Sequence, residues 1–372
     1  MSVKTQYMDY QTDKRIVMTL DAGGTNLVFS AVQSAREIVD PITLPSKANS
    51  LEDILRTIIK GFQLVQGKVP AKASAICFAF PGPADYENGI IGDLQNMPFF
   101  RDGVALGPML QEQFGMPVFI LNDGDLFAYG EAMFGLLPQI NAKLRATNNP
   151  KEYRNLLGVT FGTGFGGGIV TRHGLLFGDN SAGGEINRSR NRTYKNWDAE
   201  ESVSIRGLKR EYANLCGLNI GSVPEPKEIF AIGMGQNPGN KEAAIKAFKA
   251  FAVDAADTIA NAITMVDGLV VIGGGLSGAY PLFLPKLVEE MNLPFATMSG
   301  HPLPRLEVEV YNLEDQVELK KFLYSGSGRI QVPFSETTVQ YDPGKKIGVG
   351  ISKLGTSAAV SLGAYAFALS RL

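Results

Sequence analysis

The chain has 372 residues, of which 45% are hydrophobic and 19% charged. This balance is typical of a folded globular protein, and the length exceeds a usual single core, so we expect two compact lobes. The formal net charge of −2 gives no basic footprint, which argues against nucleic acid or an anionic membrane as a main partner.

The first lobe is predicted over residues 1–138. Its polar start lacks the apolar core of a signal peptide, so we expect a cytoplasmic protein. Two β-rich runs joined by a glycine turn that begins at Asp21 indicate a hairpin. An amphipathic helix near residues 51–65 and an apolar strand containing Cys77 follow. A second helix, a strand that ends at Asp123 and a third helix complete the lobe.

The second lobe is predicted over residues 139–355. Residues 155–178 repeat the strand, glycine turn, strand pattern, which suggests duplication. Helices dominate from about 199 to 265 and lead into the strand GLVVIGGG. Alternating runs between about 303 and 352 predict a β-rich insertion. The C-terminal segment, about 356–372, is too short to span a bilayer of about 30 Å and is predicted to be a buried helix that packs on the first lobe.

Two glycine turns flanked by strands are candidates for holding phosphate. The turns DAGGT and FGTGFGGG can present backbone N–H groups, and glycine lets a backbone approach a charged ligand closely. Ordinary hairpin turns are the alternative for either one. The second turn formally matches G-x-G-x-x-G, but a β-like run follows where that fingerprint requires a helix. The sequence has no P-loop or protein-kinase catalytic loop, so a different phosphate cradle is needed.

The segment LND ends a predicted strand just before a helix. It places Asn122 and Asp123 at an exposed strand tip, where a carboxylate can accept a proton from a substrate hydroxyl. The alternative is that Asp123 or Asp125 only caps the following helix.

The segments DAGGT, FPGP, LND, FGTGFGGG and VVIGGG resemble the ROK family of repressors, open reading frames and kinases in their order and spacing. The resemblance covers nearly the whole chain. It implies an α/β, two-lobed, actin-like (ribonuclease H-like) fold that binds ATP and a hexose in a cleft between the lobes. It also implies an ATP-dependent sugar kinase that phosphorylates a hexose or N-acetylhexosamine hydroxyl, with Asp123 as general base and ATP and Mg²⁺ as cofactors.

The resemblance assigns the nucleotide site to three glycine segments. The first faces the phosphates and Mg²⁺, with Asp21 holding the metal's water shell; the second is another phosphate loop, and the third contacts adenosine. The implied residues are Asp21, Gly23, Gly24, Thr25, Thr163, Gly164, Gly273, Gly274 and Gly275.

The resemblance also assigns the sugar site. Its segments are NMPFF, the Asn-Asp pair, AGGEINR and a glutamate ahead of a helix, where two adjoining glutamates leave the alignment open between Glu200 and Glu201. The implied sugar-binding residues are Asn96, Asn122, Asp123, Glu185 and Glu200.

The sequence departs from the family at its zinc motif. Arg188 occupies the place of a histidine, and the segment RSRNRTYKNWDAE contains no cysteine, so we expect no zinc site. His173 and His301 are isolated and are interpreted as structural or surface residues. Arg188, Trp197 or nearby backbone would then hold this loop.

Two other functions share the resemblance: a sugar-sensing ROK-type regulator and a catalytically silent sugar-binding protein. Only about 20 residues precede Asp21, too few for a helix-turn-helix domain. The presence of Asp123 and of all three glycine segments argues against a silent protein. The expected partner is a small-molecule sugar, with no nucleic acid and no membrane; a homodimer and the identity of the sugar stay open.

Overall fold

A computed structural model describes residues 9–23, 25–94, 99–324, 326 and 328–372. They divide into two compact units, each with its own main sheet. One unit comprises the described residues up to Met133 with Phe177–Gly183 and Ser357–Leu372, and the other comprises Phe134–Leu176 and Gly184–Thr356. The change of unit therefore falls at Met133 rather than at the expected residue 138, and the short segment Phe177–Gly183 was not expected in the first unit.

The first unit is built on a six-stranded sheet. Its elements are β1 (Val17–Ala22), β2 (Asn26–Gln33), β3 (Arg36–Glu37), β4 (Ile42–Pro45), α1 (Leu51–Gln66), β5 (Ala75–Ala79), β6 (Ala84–Asp85), β7 (Ile90–Ile91), α2 (Leu106–Phe114), β8 (Val118–Leu121) and α3 (Asp123–Met133). The strand order is β3-β2-β1-β5-β8, with β4 beside β2, and β6 and β7 form a separate pair. The predicted hairpin is confirmed as β1 and β2, and β1, β5 and β8 run parallel.

Helix α1 covers this sheet with an apolar stripe. Ser50 caps its start by accepting a hydrogen bond from the Asp53 N–H at 3.1 Å. Phe62 meets Phe29 of β2 edge to face, with ring centroids 5.2 Å apart. The apolar side chains buried on its inner face are Ile54, Ile58, Phe62 and Val65. Their spacing of three and four residues is the pattern from which the helix was predicted.

The second unit repeats this sheet pattern. Its elements are α4 (Leu136–Ala146), β9 (Leu156–Phe161), β10 (Phe165–Thr171), β11 (Gly174–Leu175), α5 (Ile205–Cys216), α6 (Pro226–Gly233), α7 (Lys241–Val266), β12 (Leu269–Gly273), α8 (Tyr280–Asn292), β13 (Glu309–Asn312), α9 (Gln316–Leu323), β14 (Gly328–Gln331), β15 (Thr338–Tyr341) and β16 (Lys346–Ile351). The strand order is β11-β10-β9-β12-β16-β13. As in the first sheet, an antiparallel hairpin is followed by parallel neighbours.

The region from about 303 to 352 is not one β-rich insertion, so this prediction was wrong. Strands β13 and β16 are adjacent parallel strands of the main sheet, and all six residues of β16 are buried. Among the described residues of this region, the β14–β15 hairpin alone forms a separate sheet, and every residue of its two strands is exposed. Alternation in a sequence marks strands but does not reveal their partners, and this is why the insertion was predicted too long.

Helix α10 (Thr356–Arg371) is the predicted terminal helix, and it packs on α3 within the first unit. Their backbones are so close that a Cβ atom on Gly130 would lie 1.9 Å from the Ala359 carbonyl oxygen. A Cβ atom on Gly363 would lie 2.0 Å from the Leu126 carbonyl oxygen. Only glycine fits at both positions. Across the described ranges, no helix combines the length and apolarity needed to cross a bilayer.

Gly130→Ala should lower the midpoint of thermal unfolding, because its methyl group would overlap the carbonyl of α10. Overpacking of this kind costs about 1–3 kcal/mol. Circular dichroism melts provide the measurement. Gly67→Ala is the matched control in the same unit, because a Cβ atom there meets its nearest atom at 3.6 Å. Equal melting of the two variants would contradict the close crossing of α3 and α10.

Candidate functional site

Three neighbouring parallel strands of the first sheet end at one edge, where the predicted catalytic residues lie. In the strand register Asp21 of β1 is opposite Ala79 of β5, and Ala79 is opposite Leu121 of β8. Asn122 and Asp123 directly follow Leu121. Adjacent strands are about 4.8 Å apart, so the Asp21 backbone lies roughly 10 Å from the Asn-Asp pair. The first unit therefore brings the predicted phosphate-side and sugar-side residues together.

The first glycine turn joins β1 to β2. The Gly23 N–H donates to the Asn26 carbonyl at 2.9 Å, and a Cβ atom on Gly23 would lie 3.1 Å from that oxygen. Asp21 and Thr25 flank the turn and are exposed. Gly24, assigned to the phosphate site, and Asn96, assigned to the sugar site, lie outside the described residues.

Asp123 lies at the start of α3 with its side chain exposed to solvent. The Gly124 N–H donates to both Asn122 Oδ1 and Asp123 Oδ1, each at 2.8 Å. Asn122 therefore shares with Asp123 the task of accepting a backbone N–H at the start of α3. Dense protein around the accessible carboxyl partly desolvates it and raises the pKa of Asp123. Backbone N–H groups oppose this rise, and the negative charge of Asp21 adds to it. An accessible carboxylate with a raised pKa is suited to proton transfer.

The second glycine turn joins β9 to β10 in the second unit. The Gly162 N–H donates to the Gly164 carbonyl at 3.0 Å, and the Gly162 carbonyl accepts from the Ile205 N–H at 2.8 Å. Ile205 is the first residue of α5, so this helix start is attached to the turn. Thr163 is exposed at the turn's tip.

The third glycine segment lies beside the second turn. Strand β12 runs parallel to β9, with Gly273 opposite Thr160. Gly274 has φ of +87°, and a Cβ atom there would lie 2.3 Å from the Phe161 carbonyl oxygen, so glycine is required. The Gly274 N–H donates to Thr356 Oγ1 at 2.8 Å. The second unit thus brings the two predicted nucleotide segments of its sheet together.

Glu200 contacts the second glycine turn directly. Its Oε2 accepts a hydrogen bond from the Phe165 N–H at 2.9 Å, and a Cβ atom on Gly164 would lie 2.5 Å from the same oxygen. Glu201 instead forms ion pairs with Arg206 at 2.9 Å and Arg210 at 3.4 Å. Of the two adjoining glutamates, Glu200 is therefore the one that faces the turn.

Glu185 is positioned by a close contact between two backbone segments. A Cβ atom on Gly167 of β10 would lie 2.4 Å from the Gly184 carbonyl oxygen, and Gly184 itself has φ of +91°. Glu185 follows at the start of the short 3-10 helix Ile186–Arg188, with its side chain exposed. The segment therefore lies against the strand that leaves the second glycine turn.

Asn191 organises the loop that lies between Glu185 and Glu200. Its buried side chain accepts from the N–H groups of Thr193 and Tyr194 at 3.0 and 2.8 Å. Its amide nitrogen donates to Ser202 Oγ at 2.8 Å. One side chain thus fixes both halves of the loop.

An aromatic stack supports the same loop. The rings of Tyr194 and Trp197 stack with centroids 4.4 Å apart, and the Arg210 guanidinium lies 4.6 Å from the Trp197 centroid. Arg188 pairs with Asp198 at 3.4 Å, but its side chain is 76% exposed, so this ion pair contributes little. Of the contacts expected from the sequence, Trp197 and the backbone support the loop more than Arg188 does.

Within the described ranges, no three His, Cys, Asp or Glu side chains form a cluster that could hold a metal ion. That the purified protein contains no zinc stays a prediction, which elemental analysis can test. Asn191→Leu should expose the loop to trypsin at Arg190, Arg192 or Lys195, because the Tyr194 N–H, the Asp198 carbonyl and the Ser202 hydroxyl lose the hydrogen bonds that Asn191 makes with them.

Chelation of the unmodified protein should leave trypsin cleavage of the loop unchanged, and elemental analysis should find no stoichiometric zinc. Asn196→Leu, at an exposed position of the same loop, is the matched control. Stoichiometric zinc, or a loop that chelation opens, would contradict this interpretation.

Sequence reasoning missed three residues that shape the site: Thr356, Arg206 and Phe165. Thr356 lies 82 residues from the glycine whose N–H it accepts, and nothing in its local sequence marks it. Arg206 lies six residues after Glu200, and this charge spacing beyond the loop was the only local signal. Phe165 acts through its backbone, which a side-chain motif does not reveal.

A model described as the ROK family matches residues 17–316. The chain is 29% identical over 168 residues to a glucokinase of Thermotoga maritima, a match that covers 45% of this chain and 48% of that relative, so it spans about half its length. It is 26% identical over 297 residues to an N-acetyl-D-glucosamine kinase of Photobacterium profundum, covering 74% of this chain and 90% of the relative. The crystal structure of a glucokinase from Parabacteroides distasonis is similar with a TM-score of 0.91 and 51% identity, over 98% of this chain and 100% of that one.

Proposed function

The chain belongs to the ROK family and has its two-lobed, actin-like α/β fold, and we propose that it transfers the γ-phosphoryl group of ATP to a sugar hydroxyl. The observation that carries this proposal is the exposed Asp123 carboxylate, whose pKa is raised, at the sheet edge shared with Asp21. In the proposed reaction the sugar oxygen bonds to the γ-phosphorus, the bond to the ADP oxygen breaks, and the hydroxyl proton passes to Asp123.

The nucleotide is proposed to be held by the glycine segments. The turn at Gly23, Gly24 and Thr25 and the turn at Thr163 and Gly164 would donate backbone N–H groups to phosphate oxygens. Residues Gly273, Gly274 and Gly275 would contact adenosine, with Thr356 fixing the middle glycine.

The exposed Asp21 carboxylate is an oxygen donor of the kind that suits Mg²⁺ bound through water. Mg²⁺, when bound, neutralises charge on the transferring phosphoryl group. Asp21 would keep the positive charge of the metal ion at the edge of the sheet where Asp123 also lies.

The proposed sugar-binding residues are Asn96, Asn122, Asp123, Glu185 and Glu200. The 51% identity to a glucokinase makes glucose the first sugar to test, and similarity to an N-acetyl-D-glucosamine kinase makes that amino sugar the second. A coupled assay for ADP release across hexoses and N-acetylhexosamines decides between them. The alternatives, a sugar-sensing regulator and a catalytically silent sugar-binding protein, are not favoured, because the two curated relatives and the 51% identical structure described above are sugar kinases. A cytoplasmic location is part of the proposal, whereas the choice between a monomer and a homodimer stays open.

Asp123→Asn should lower kcat by about 10²–10⁴-fold while sugar binding changes little, because the amide keeps the shape of the carboxylate but cannot take the proton. Steady-state kinetics measure kcat, and calorimetry measures sugar binding. Turnover equal to that of the unmodified protein would rule out Asp123 as the base.

The pH profile provides an independent check on the same residue. Since the base must be ionised and its pKa is raised, kcat/KM should fall as the pH drops through a value above the usual Asp pKa of about 3.9. An acid limb at or below that usual value would contradict the raised pKa.

Gly164→Val should raise the KM for ATP or abolish activity, because the new Cβ atom would lie 2.5 Å from Glu200 Oε2 and displace the turn. Initial rates over a range of ATP concentrations provide the measurement. Gly221→Val is the control, since a Cβ atom there meets its nearest neighbour at 3.6 Å. An unchanged dependence on ATP would leave this segment as an ordinary hairpin turn.

A further inference from the structure

A continuous set of contacts connects the second glycine turn to the loop between Glu185 and Glu200. Glu200 Oε2 accepts from the Phe165 N–H at 2.9 Å, and Glu200 Oε1 accepts from Arg206 Nη2 at 3.2 Å. The same Arg206 nitrogen binds Glu201 Oε1 at 2.9 Å. Arg210 donates to the Glu201 carbonyl at 2.7 Å and covers the ring of Trp197. The turn, the two glutamates and the aromatic stack are thus joined through two arginines.

Arg206 holds two adjoining carboxylates that would otherwise repel each other. The Glu200 and Glu201 side chains are 25% and 37% exposed, so their charges are partly shielded from water, and the attraction to a shared guanidinium gains from this. Glu200 therefore has a defined direction: one oxygen toward the turn, the other toward Arg206.

The orientation of the Glu200 carboxylate matters because each of its two oxygens already accepts a hydrogen bond. Each carboxylate oxygen has two lone pairs and can accept a second hydrogen bond. A sugar hydroxyl that binds Glu200 must therefore share an oxygen with either the Phe165 N–H or Arg206. Sugar binding then changes the strength or geometry of the bond to the Phe165 N–H, one residue beyond Gly164. If sugar binding changes the affinity of the turn for nucleotide, nucleotide binding must change the affinity for the sugar by the same factor, because coupling between two binding sites is reciprocal.

Building on the proposed function, we infer that Arg206 is a positioning residue that holds Glu200 between the second glycine turn and the sugar, and so couples nucleotide binding to sugar binding. Arg206 itself need not touch either ligand. A residue that only stabilises the fold would change melting temperature or both affinities equally, but it would not change the factor by which one ligand strengthens the other.

The experiment measures the binding of Mg²⁺–AMPPNP by calorimetry with and without a saturating sugar, either glucose or N-acetylglucosamine, whichever the unmodified protein phosphorylates. The ratio of the two dissociation constants is the coupling factor, and couplings of this type are about 5–150-fold. Arg206→Met should bring the factor close to one. Arg206→Lys, which keeps a cation that can reach Glu200, should restore part of it.

Arg56→Met is the matched control, because Arg56 forms an exposed ion pair with Glu52 at 2.6 Å on α1 of the other unit. It should leave the coupling factor unchanged. Circular dichroism checks that each variant is folded. If Arg206→Met does not fold, Glu200→Gln replaces it, since the amide still accepts from the Phe165 N–H but loses the charge that attracts Arg206; the coupling factor should again fall toward one.

The outcomes separate this inference from the proposed function. A protein that phosphorylates a sugar but shows a coupling factor of one before any substitution overturns the inference and leaves the kinase in place. A coupling factor that Arg206→Met leaves at its original value also overturns it. A protein that phosphorylates no sugar of the panel overturns the proposed function, and the inference with it.

Discussion

Both units depend on positions where the backbone lies so close to neighbouring atoms that glycine is the residue that fits. In the second unit, Gly274 lies against the carbonyl of Phe161 and Gly164 lies against the carboxylate of Glu200. A side chain at Gly274 would push two backbone segments apart, and one at Gly164 would displace the Glu200 carboxylate from the turn. The same constraint joins α3 to α10 in the first unit at Gly130. Because glycine has no side chain, the backbone N–H groups are the donors that the glycines of these segments can offer to a phosphate.

The register of parallel strands places two carboxylates at one edge, and their charges interact. Asp21 raises the pKa of Asp123, in addition to the larger effect of desolvation. A cation that Asp21 helps to hold would offset this contribution and lower the pKa of Asp123 again. The proposed base would then be less basic in the complete complex than in the free protein. Asp21 thus has two proposed effects, one on the phosphate side and one on the proton acceptor.

The sequence predicted those features that depend on local pattern. The β1–β2 hairpin, helix α1 and the exposed tip at Asp123 follow from periodicity, turn residues and a strand that runs into polar residues. Features that depend on distant partners could not be predicted. The alternating run before residue 352 did not reveal that β16 lies between β12 and β13 in the main sheet. Likewise, two adjacent glutamates are equivalent in sequence, and only the fold shows that Glu200 is the one facing the second glycine turn.

Hydrogen bonds and aromatic stacking support the loop between Glu185 and Glu200, the segment for which we predict no zinc site. Each of the bonds made by Asn191 contributes about 0.5–1.5 kcal/mol, and an aromatic pair adds a similar amount beyond its burial. Several such contacts together offset part of the conformational entropy that is lost when the loop is ordered. The contacts come from two places: Asn191 is buried within the loop, whereas Arg210 reaches the loop from α5. Because α5 also begins at the second glycine turn, the loop takes its position from the same helix that fixes the turn.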